Sequence, residues 1–528
     1  MATEKGTKVS GVTYNTAAEG YFQKRALKRS AGVWGLWGLA VAAVISGDFS
    51  GWNFGVDFAG FGGMTIAFVI LVAMYYGLIF SIGEMAAAMP HTGGAYSFAR
   101  SAMGPWGGLA TGLAETIEYV ATTAVIVFFS AQYANFITTE LLSFDLGADG
   151  ANMMWAWYAV LYIAFIALNA AGANISFKFA VVVSIISIAI ILVFSVMALT
   201  SGLFSVDKLF DMVPNPEVAG ASAFLPEGWV AILFALPFAM WFFLGIEELP
   251  LAAEESVNPA RDIPKAGFIA RGTLIVTGVL VLVLNTGILG AEATGVSLEP
   301  LLDGFRAIVG DQLAALLAIF ALIGLLASLQ GIMFAYGRNM YSLSRAGYYP
   351  KFFSLTGKRQ TPWVALVVGA VIGFVAIIVL DLLANVEGVG TVAGAIILNI
   401  AVWGAVVAYF LQMVSFIILR RKFPTANRPY RSPWGLPGAY IAAIIAALVF
   451  VGFLLNPTFQ PAIIAIVIVY AVIFLGFAVY ARHRLVLSPE EEYALSGGLH
   501  GDPQVEGYAA MDPEDITPGP SATRSGKP

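Results

Sequence analysis

Two short segments bring acidic side chains and glycines into runs of apolar residues. The first, SGDFSG, covers residues 46–51 and carries Asp48. The second, FFLGIEELP, covers residues 242–250 and carries Glu247 and Glu248. Glycine and proline interrupt a helix, and an interrupted helix exposes backbone carbonyls and amides together with the partial charges of its half-helix ends. Such a break can hold an ion or the polar head of a small molecule, and acids beside it favour a cation.

A further group of polar residues lies in the apolar run at 106–138. Glu115 and Glu118 are three residues apart and Thr122 follows one turn later, so these side chains lie near one face of a helix. Glu118, the deeper of the two acids, is predicted to line a binding pocket with Thr122. Glu115 could instead face a neighbouring helix or a water-filled crevice.

These acids have no basic partner at the same depth, because Lys178 and Arg338 lie near the ends of their apolar runs. An ionised carboxylate at membrane depth is costly, so each acid must be protonated, hydrated or neutralised by a ligand that arrives. A small cationic substrate would supply the missing charge. The three histidines cannot build a metal or haem site, since His91 lies in a loop and His483 and His500 lie at or beyond the last run.

Aromatic side chains flank both breaks and could present their ring faces to an ammonium group. They are Phe49 and Trp52 in the first segment and Trp241, Phe242 and Phe243 in the second. Most aromatic rings in a membrane helix serve packing or anchor the helix at the interface. Trp241 is the ring predicted to contact the ligand.

Other roles are open for several of the acids. Asp48 could cap its half-helix through the backbone amides, a role compatible with ligand binding. Glu247 could be a protonated hydrogen-bond donor, which would suit it to proton coupling. Glu248 is expected to face elsewhere on its helix. Glu84, at the end of its apolar run, is expected to have a solvated or loop-capping role.

Composition places these segments in a membrane protein. Hydrophobic residues make up 59% and charged residues 11% of the 528 residues, and the mean hydropathy is +0.82, whereas a soluble globular chain carries about 25% charged residues. A spanning helix takes about 20 apolar residues, and about 12 such runs occur. The predicted fold class is all-α and polytopic, with spans at residues 31–56, 64–88, 106–138, 152–172, 178–202, 228–252, 268–290, 312–340, 363–384, 390–419, 437–456 and 461–481.

Basic residues indicate the orientation of the chain. They cluster before the first span and in alternate loops, which predicts that these loops and both termini are cytoplasmic. The predicted parts are an N-terminal segment at 1–30, a transmembrane domain at 31–482 and a disordered cytoplasmic tail at 483–528, rich in Glu, Pro, Gly and Ser. A nucleic-acid partner is excluded because no basic stripe with interleaved aromatics occurs, and the absence of cysteine excludes disulfides and thiolate metal sites.

The two breaks fall in the first and the sixth spans. Inverted repeats place their broken helices at corresponding positions, so this interval predicts two five-helix repeats of opposite orientation at 31–202 and 228–419, followed by two appended helices at 437–481. Irregular polar backbone at membrane depth is tolerated only where it lines protein or a watery cavity. The sequence therefore predicts a carrier with a binding site in the middle of the membrane.

Longer motifs resemble those of the amino acid, polyamine and organocation transporters. GEMAAAMPHTGGAYSFARSAMGPWGG at 83–108 resembles the stretch after helix 2 of this superfamily. AAEESVNPARDIPKA at 252–266 resembles the loop after helix 6, and GRNMYSLSRAGYYPKFF at 337–353 resembles the end of helix 8. Together the resemblances cover most of residues 31–435.

Within that superfamily, VISGDFSGWNFG at 44–55 and WFFLGIEELPLAAEE at 241–255 are most similar to bacterial ethanolamine permeases. The resemblance implies alternating access, with helices 1, 3, 6, 8 and 10 around the substrate. Carried over by position, it implies a substrate region that comprises Ser46, Gly47, Asp48, Glu118, Thr122, Trp241, Leu244, Gly245 and Glu247.

Two departures from the superfamily bear on the ligand. Its amino acid carriers hold the substrate carboxylate at the glycine-rich break of helix 1, where Asp48 would repel it. Several proton-coupled relatives carry a lysine within helix 5, and residues 181–190 contain none. We therefore expect a secondary carrier for ethanolamine or a similar small primary amine, coupled to a proton or a sodium ion. The alternative is an amino acid permease of the same fold, with Asp48 turned away from the pocket.

Channels and enzymes are less compatible with the sequence. No repeated filter-like motif occurs, although selective channels build narrow filters. HExxH, GxSxG and a Gly-rich phosphate loop with its lysine are also absent, so zinc proteolysis, acyl transfer and ATP hydrolysis lack their residues.

Overall fold

The computed structural model describes residues 7–9, 12–14, 27–89, 91–147, 153–384, 393–424, 428–456 and 460–486. The described chain is mainly helical, which confirms the predicted all-α polytopic class. The strands β1 at Thr7–Val9 and β2 at Val12–Tyr14 pair antiparallel and are an addition to the prediction.

The first five predicted spans each coincide with a helix. Helix α1 covers Val33–Val44 and continues as a 3-10 turn at Ile45–Asp48, where the first break is predicted. The next four are α2 at Phe54–Ala88, α3 at Gly94–Leu142, α4 at Met154–Ala170 and α5 at Ala173–Thr200, followed by a 3-10 turn at Asp207–Phe210.

The sixth span is the second broken helix. Helix α6 covers Ala231–Met240, and after a turn at 241–245 the chain continues as a 3-10 helix at Ile246–Glu255. Helix α7 at Pro259–Leu289 is followed by two short helices, α8 at Ala291–Val296 and α9 at Pro300–Val309.

The last five spans also match their predicted positions. The eighth span is α10 at Asp311–Arg345 and the tenth is α12 at Ala393–Lys422. The others are α11 at Trp363–Ala384, α13 at Gly435–Leu455 and α14 at Gln460–Val479, and short 3-10 turns lie at Lys351–Ser354 and Ala481–His483.

Two long helices contain a glycine kink close to the predicted start of the span. Gly60 in α2 has φ 69°, and Gly104 in α3 has φ 80° and is followed by Pro105. A positive φ is open to glycine and costly for other residues. Both helices extend beyond the kink toward their N-termini, which is why they are longer than their apolar runs.

The helices have the length and hydropathy of membrane spans. Within the described residues, eight helices are long and apolar enough to cross a bilayer. Four shorter apolar helices, Val33–Asp48, Met154–Ala170, Ala231–Met240 and Trp363–Val379, fill the other predicted positions. Large apolar side chains cover the outer surface, such as Ile464 on α14, which is 61% exposed, as expected where lipid covers the protein.

Helix packing brings the broken segments to the middle of the bundle. Helix α3 packs against α10 and α12, and α1 packs against α5, α7 and α10. The 3-10 helix at Ile246–Glu255 contacts α1, α3 and α10. The breaks of both helices and the polar residues of α3 therefore lie close to one another.

The two ends of the bundle differ in charge. We call the end with Arg100, Arg261 and Arg345 the basic face, and the end with Glu140 and Glu299 the acidic face. The N-terminal hairpin and the chain after α14 both lie at the basic face, next to the end of α10.

Buried ion pairs close the basic face. Arg338 of α10 donates from Nε and Nη2 to the two oxygens of Glu255, at 3.0 and 2.9 Å, and both side chains are fully buried. Two turns further along α10, Arg345 lies 2.5 Å from Glu254. These pairs fix α10 to the end of the second broken helix.

Glu84 of α2 is also buried and has a structural role. Arg420 donates to its two oxygens at 2.7 and 2.5 Å, and Arg428 lies 3.0 Å away. The backbone amide of Ser432 donates to the same carboxylate at 2.7 Å. This geometry agrees with the loop-capping role and not with the solvated one, since Glu84 is 1% exposed.

The first and the last described segments of the chain meet at the basic face. Val12 of the hairpin is fully buried in a cluster with Tyr348 and Leu485, and the amide of Val486 donates to the carbonyl of Ala346 at 2.9 Å. Residues 483–486 of the predicted tail are thus packed against the end of α10. The rest of that predicted tail, 487–528, lies outside the described residues.

The acidic face is tied together by the chain between α7 and α10. Asn53 donates to the carbonyls of Thr294 and Ser297 at 2.8 and 2.7 Å. Burial raises the pKa of the Glu299 carboxyl. Arg306 opposes this shift and Asp303 adds to it, and the resulting pKa is about 7.

The raised pKa of Glu299 gives a prediction for stability. The folded protein holds the proton of the Glu299 carboxyl more tightly than the unfolded chain does. The contribution of Glu299 to the free energy of unfolding is therefore complete below pH 4.5 and is lost as the pH rises through about 7. We expect the melting temperature of the purified protein to fall between about pH 5 and about pH 8, and Glu299→Gln to flatten that fall. Asp207→Asn, at an exposed acid of the same face, is the control; equal slopes in the two variants would contradict the prediction.

The Arg338–Glu255 pair gives a second prediction. Arg338→Met leaves Glu255 buried without a counter-charge, which should cost about 3 to 5 kcal/mol of stability. The double variant Arg338→Met/Glu255→Met removes both charges and should recover most of the lost melting temperature. If the double variant melts as low as the single one, the two side chains are not energetically paired.

Candidate functional site

The break in the first helix is held open by a serine of α10. The backbone amide of Ser46 donates to Oγ of Ser328 at 2.8 Å, and that hydroxyl donates to the carbonyl of Ala42 at 2.6 Å. The side chain therefore satisfies a carbonyl and an amide that no longer pair within the helix. Polar backbone at membrane depth requires such partners.

The break in the sixth span is centred on Gly245. This glycine has φ 107°, and an added Cβ would lie 2.7 Å from the side chain of Ile332. Its amide donates to Oε2 of Glu247 at 3.1 Å. Glu247 therefore caps the turn from its own segment, and Leu244 is buried beside it.

The two breaks touch each other. A Cβ on Gly47 would lie 2.4 Å from the carbonyl oxygen of Trp241, so only glycine fits at this crossing. The indole Nε1 of Trp241 donates to the carbonyl of Ser50 at 3.0 Å, and the ring lies against Gly51. The predicted site residues Gly47 and Trp241 are therefore in direct contact.

Tyr409 of α12 joins two carboxyl groups. Its hydroxyl lies 3.3 Å from Oε1 of Glu118 and in a short hydrogen bond with Oε2 of Glu247. Since a tyrosine hydroxyl has one hydrogen to donate, it can satisfy only one of these carboxyls at a time. We call Glu118 and Glu247 the carboxyl pair. Helices α3 and α12 and the second broken helix converge on it.

Two further acids lie near the carboxyl pair. Glu115 and Glu248 are buried, and Oε2 of Glu115 and both carboxylate oxygens of Glu248 have no hydrogen-bond partner among the described residues. All four acids act electrostatically on Tyr119. Glu248, expected to face elsewhere, makes no hydrogen bond to the pair, but its charge contributes to the same centre.

Asp48 and Thr122 are buried close to this centre without a hydrogen bond to it. The hydroxyl of Thr122 has no partner within the described chain. The carboxylate of Asp48 likewise accepts no hydrogen bond there, and its polar neighbour is Thr277 of α7. Of the nine predicted residues, the structure thus links Gly47 with Trp241 and joins Gly245, Glu247 and Glu118, whereas Asp48 faces another helix.

The centre carries acidic groups and no counter-charge. Over the described ranges, no basic side chain lies within ion-pair distance of Glu115, Glu118, Glu247 or Glu248. Arg338 acts on Glu248 only from a distance, because its guanidinium binds Glu255. Isolated carboxylates in such surroundings must share protons or bind a cation.

Comparison with known proteins identifies the family. A family model for amino acid permeases matches residues 35–487. This chain belongs to the amino acid permease family. The permease is 29% identical to an uncharacterized transporter of Rhizobium meliloti, over 63% of its own chain and 69% of that protein. It is 25% identical to the branched-chain amino acid permease BcaP of Bacillus subtilis, over 78% of its chain and 85% of that protein.

The fold of the permease is also found in a solved transporter. The structure of MhsT in complex with L-phenylalanine superposes with a TM-score of 0.54 at 13% identity, covering 81% of the permease and 99% of that chain. Family and fold together identify a multi-pass secondary transporter with inverted repeats, and not an enzyme.

Sequence reasoning missed three residues of the site. Tyr409, Ser328 and Thr277 lie on helices far along the chain from the acids and backbone groups that they face. Each is one of several uncharged polar residues in an apolar span, so the available signal was its polarity alone. That signal does not tell which side of the helix faces the centre.

Removal of the Tyr409 hydroxyl tests the carboxyl pair. A hydrogen bond to a charged group contributes about 1.5 to 3 kcal/mol, so Tyr409→Phe should slow uptake of the predicted substrate, ethanolamine, by about tenfold or more. Tyr470→Phe is the matched control, since that hydroxyl donates to the carbonyl of Ala110 outside the pair. Initial rates in proteoliposomes measure both; equal rates for the two variants would exclude a role for the Tyr409 hydroxyl.

Proposed function

We propose that this permease imports ethanolamine or a similar small primary amine across a bacterial plasma membrane. The observation that carries the proposal is the group of four buried acids, Glu115, Glu118, Glu247 and Glu248, that has no basic partner among the described residues. An ammonium group brings the charge that these carboxylates lack. A substrate without a carboxylate of its own adds no further negative charge.

The proposed binding mode assigns a role to each central group. Glu118 accepts hydrogen bonds from the ammonium group, and Tyr409 orients the carboxylate toward it. The indole N–H of Trp241 donates to the carbonyl of Ser50, so Trp241 contacts the substrate with the face of its ring. Asp48 adds negative charge from the first break, where the half-helix ends and the freed backbone groups meet.

Coupling to an ion follows from the same pair. Two carboxyls that share one tyrosine hydroxyl are well suited to hold a proton between them. We therefore favour a proton over a sodium ion, with Glu247 either accepting that proton or fixing the turn at Gly245. Uptake driven by an imposed proton gradient, compared with an imposed sodium gradient, distinguishes the two ions.

The proposed orientation puts the basic face in the cytoplasm. Positively charged residues prefer cytoplasmic loops, and Arg261, Arg345 and Arg420 lie at that face. Both termini are then cytoplasmic. The ion pairs Arg338–Glu255 and Arg345–Glu254 would close the cytoplasmic side of the site.

An amino acid permease remains the second candidate, and one observation favours it. The carboxylate of Asp48 is directed at Thr277 of α7 and makes no hydrogen bond with Glu118 or Glu247. A substrate carboxylate at the first break would then meet less repulsion. The relative BcaP is named a branched-chain amino acid permease.

Neutralisation of Glu118 tests the amine site. Glu118→Gln removes the charge and keeps the size of the side chain, so the ethanolamine concentration for half-maximal uptake should rise about tenfold or more. Glu140→Gln, at an exposed position of the same helix, should leave it unchanged. An unaltered concentration dependence in Glu118→Gln would remove this residue from the site.

Competition separates the two candidate substrates. For an amine carrier, unlabelled ethanolamine should abolish uptake of labelled ethanolamine, whereas leucine and glycine in the same excess should not. Inhibition by the amino acids together with transport of labelled leucine would support the second candidate instead.

A further inference from the structure

Arg271 of α7 is a buried cation without an acidic partner in the described part of the chain. The residue is 2% exposed, and its Nε and Nη1 have no hydrogen-bond partner among the described residues. The guanidinium carbon lies 3.6 Å from the ring centre of Tyr76 and 4.9 Å from those of Phe80 and Phe268. Ring faces replace part of the lost hydration, but the N–H groups of Nε and Nη1 still need an acceptor.

The neighbouring face of α7 changes from basic to apolar along the helix. Arg261, Lys265 and Phe268 follow one another at helical spacing and are exposed, Phe268 to 55%. Gly272 comes next on this face, and no atom lies within 4 Å of the position that a Cβ would take there. Val276, one turn further, is 59% exposed. An open apolar strip therefore runs into the membrane from a pair of basic residues.

A cavity opens at the basic end of this strip. Its volume is about 390 Å³, and it is lined by Asn258, Ala260, Arg261, Pro429 and Tyr430. Tyr430 also packs against Gly83 of α2, within one turn of Phe80, and the ring centre of Phe80 lies 4.9 Å from the guanidinium carbon of Arg271. The volume suits a small head group rather than a large ligand.

The charge around the cavity is positive. The nearby carboxylate of Glu84 is neutralised by Arg420 and Arg428, and Asp262 points into the protein at 7% exposure. Trp434, 39% exposed, stacks on Tyr76 at 5.3 Å between ring centres. Half-exposed tryptophans of this kind are frequent at the membrane–water interface.

We propose that this site binds an anionic phospholipid, with the phosphate at Arg261 and Lys265 in front of Arg271 and an acyl chain along the strip at Gly272. Phosphate oxygens accept strong hydrogen bonds from guanidinium and ammonium groups. Basic pockets between membrane helices bind anionic head groups for this reason. The aromatic rings at Tyr76, Phe80 and Phe268 flank the boundary between head group and chain.

The experiment compares lipids on the purified permease. Native mass spectrometry and melting temperatures are recorded while the detergent-solubilised protein is titrated with phosphatidylglycerol or phosphatidylcholine. Phosphatidylglycerol should bind about tenfold more tightly. Arg261→Gln/Lys265→Gln should abolish this preference, whereas Arg359→Gln, at an exposed arginine outside the cavity, should retain it. Equal binding of the two lipids by the wild type, or an intact preference in the double variant, overturns the proposal.

Two further arms identify the source of the phosphate. Soluble glycerol 3-phosphate should bind far more weakly than phosphatidylglycerol; equal binding would assign the cavity to a soluble phosphate and reject the lipid. Gly272→Leu fills the open strip without a change in charge and should weaken phosphatidylglycerol binding by about tenfold. Unchanged binding in Gly272→Leu would show that no acyl chain lies along the strip and would overturn the lipid proposal.

Discussion

Backbone contact between two interrupted helices organises the centre of this permease. At Gly47 the first broken helix passes so close to the carbonyl of Trp241 that a side chain could not fit. The contact fixes the half-helix ends against each other and leaves the side chains of Ser328, Trp241 and Glu247 to satisfy the freed backbone groups. The positions of Asp48 and Glu247 follow from this crossing, because the segments that carry them begin or end there.

Charge is distributed in two different ways along the transport axis. At the basic face Glu84, Glu254 and Glu255 are each paired with an arginine. Such pairs hold helices together and tolerate no loss of one partner. At the centre, Glu118 and Glu247 share a tyrosine hydroxyl and have no arginine within ion-pair distance among the described residues. A permanent arginine there would occupy the position that a cationic substrate needs, so the missing partner fits a transport site better than a purely structural one.

Much of the fold could be predicted from the sequence, because a membrane span is a local property. Every predicted run coincides with a helix, and the glycine and acid pattern located both breaks. The kinks at Gly60 and Gly104 and the hairpin before α1 were not predicted, since they depend on packing against distant segments. At the candidate site, Gly47 and Glu118 could be proposed from local patterns. Tyr409 was not, because its partners Glu118 and Glu247 are 291 and 162 residues away along the chain.

The contact of the N-terminal hairpin and of residues 483–486 with the end of α10 has a mechanical consequence. Val12 and Leu485 share one apolar cluster with Tyr348, and Val486 is hydrogen-bonded to Ala346, just past Arg345. Any movement of α10 that separates Arg345 from Glu254 must move these two segments with it or break their contacts with α10. Spectroscopic reporters in the hairpin and in residues 483–486 would therefore respond to the same movement of α10 during the transport cycle.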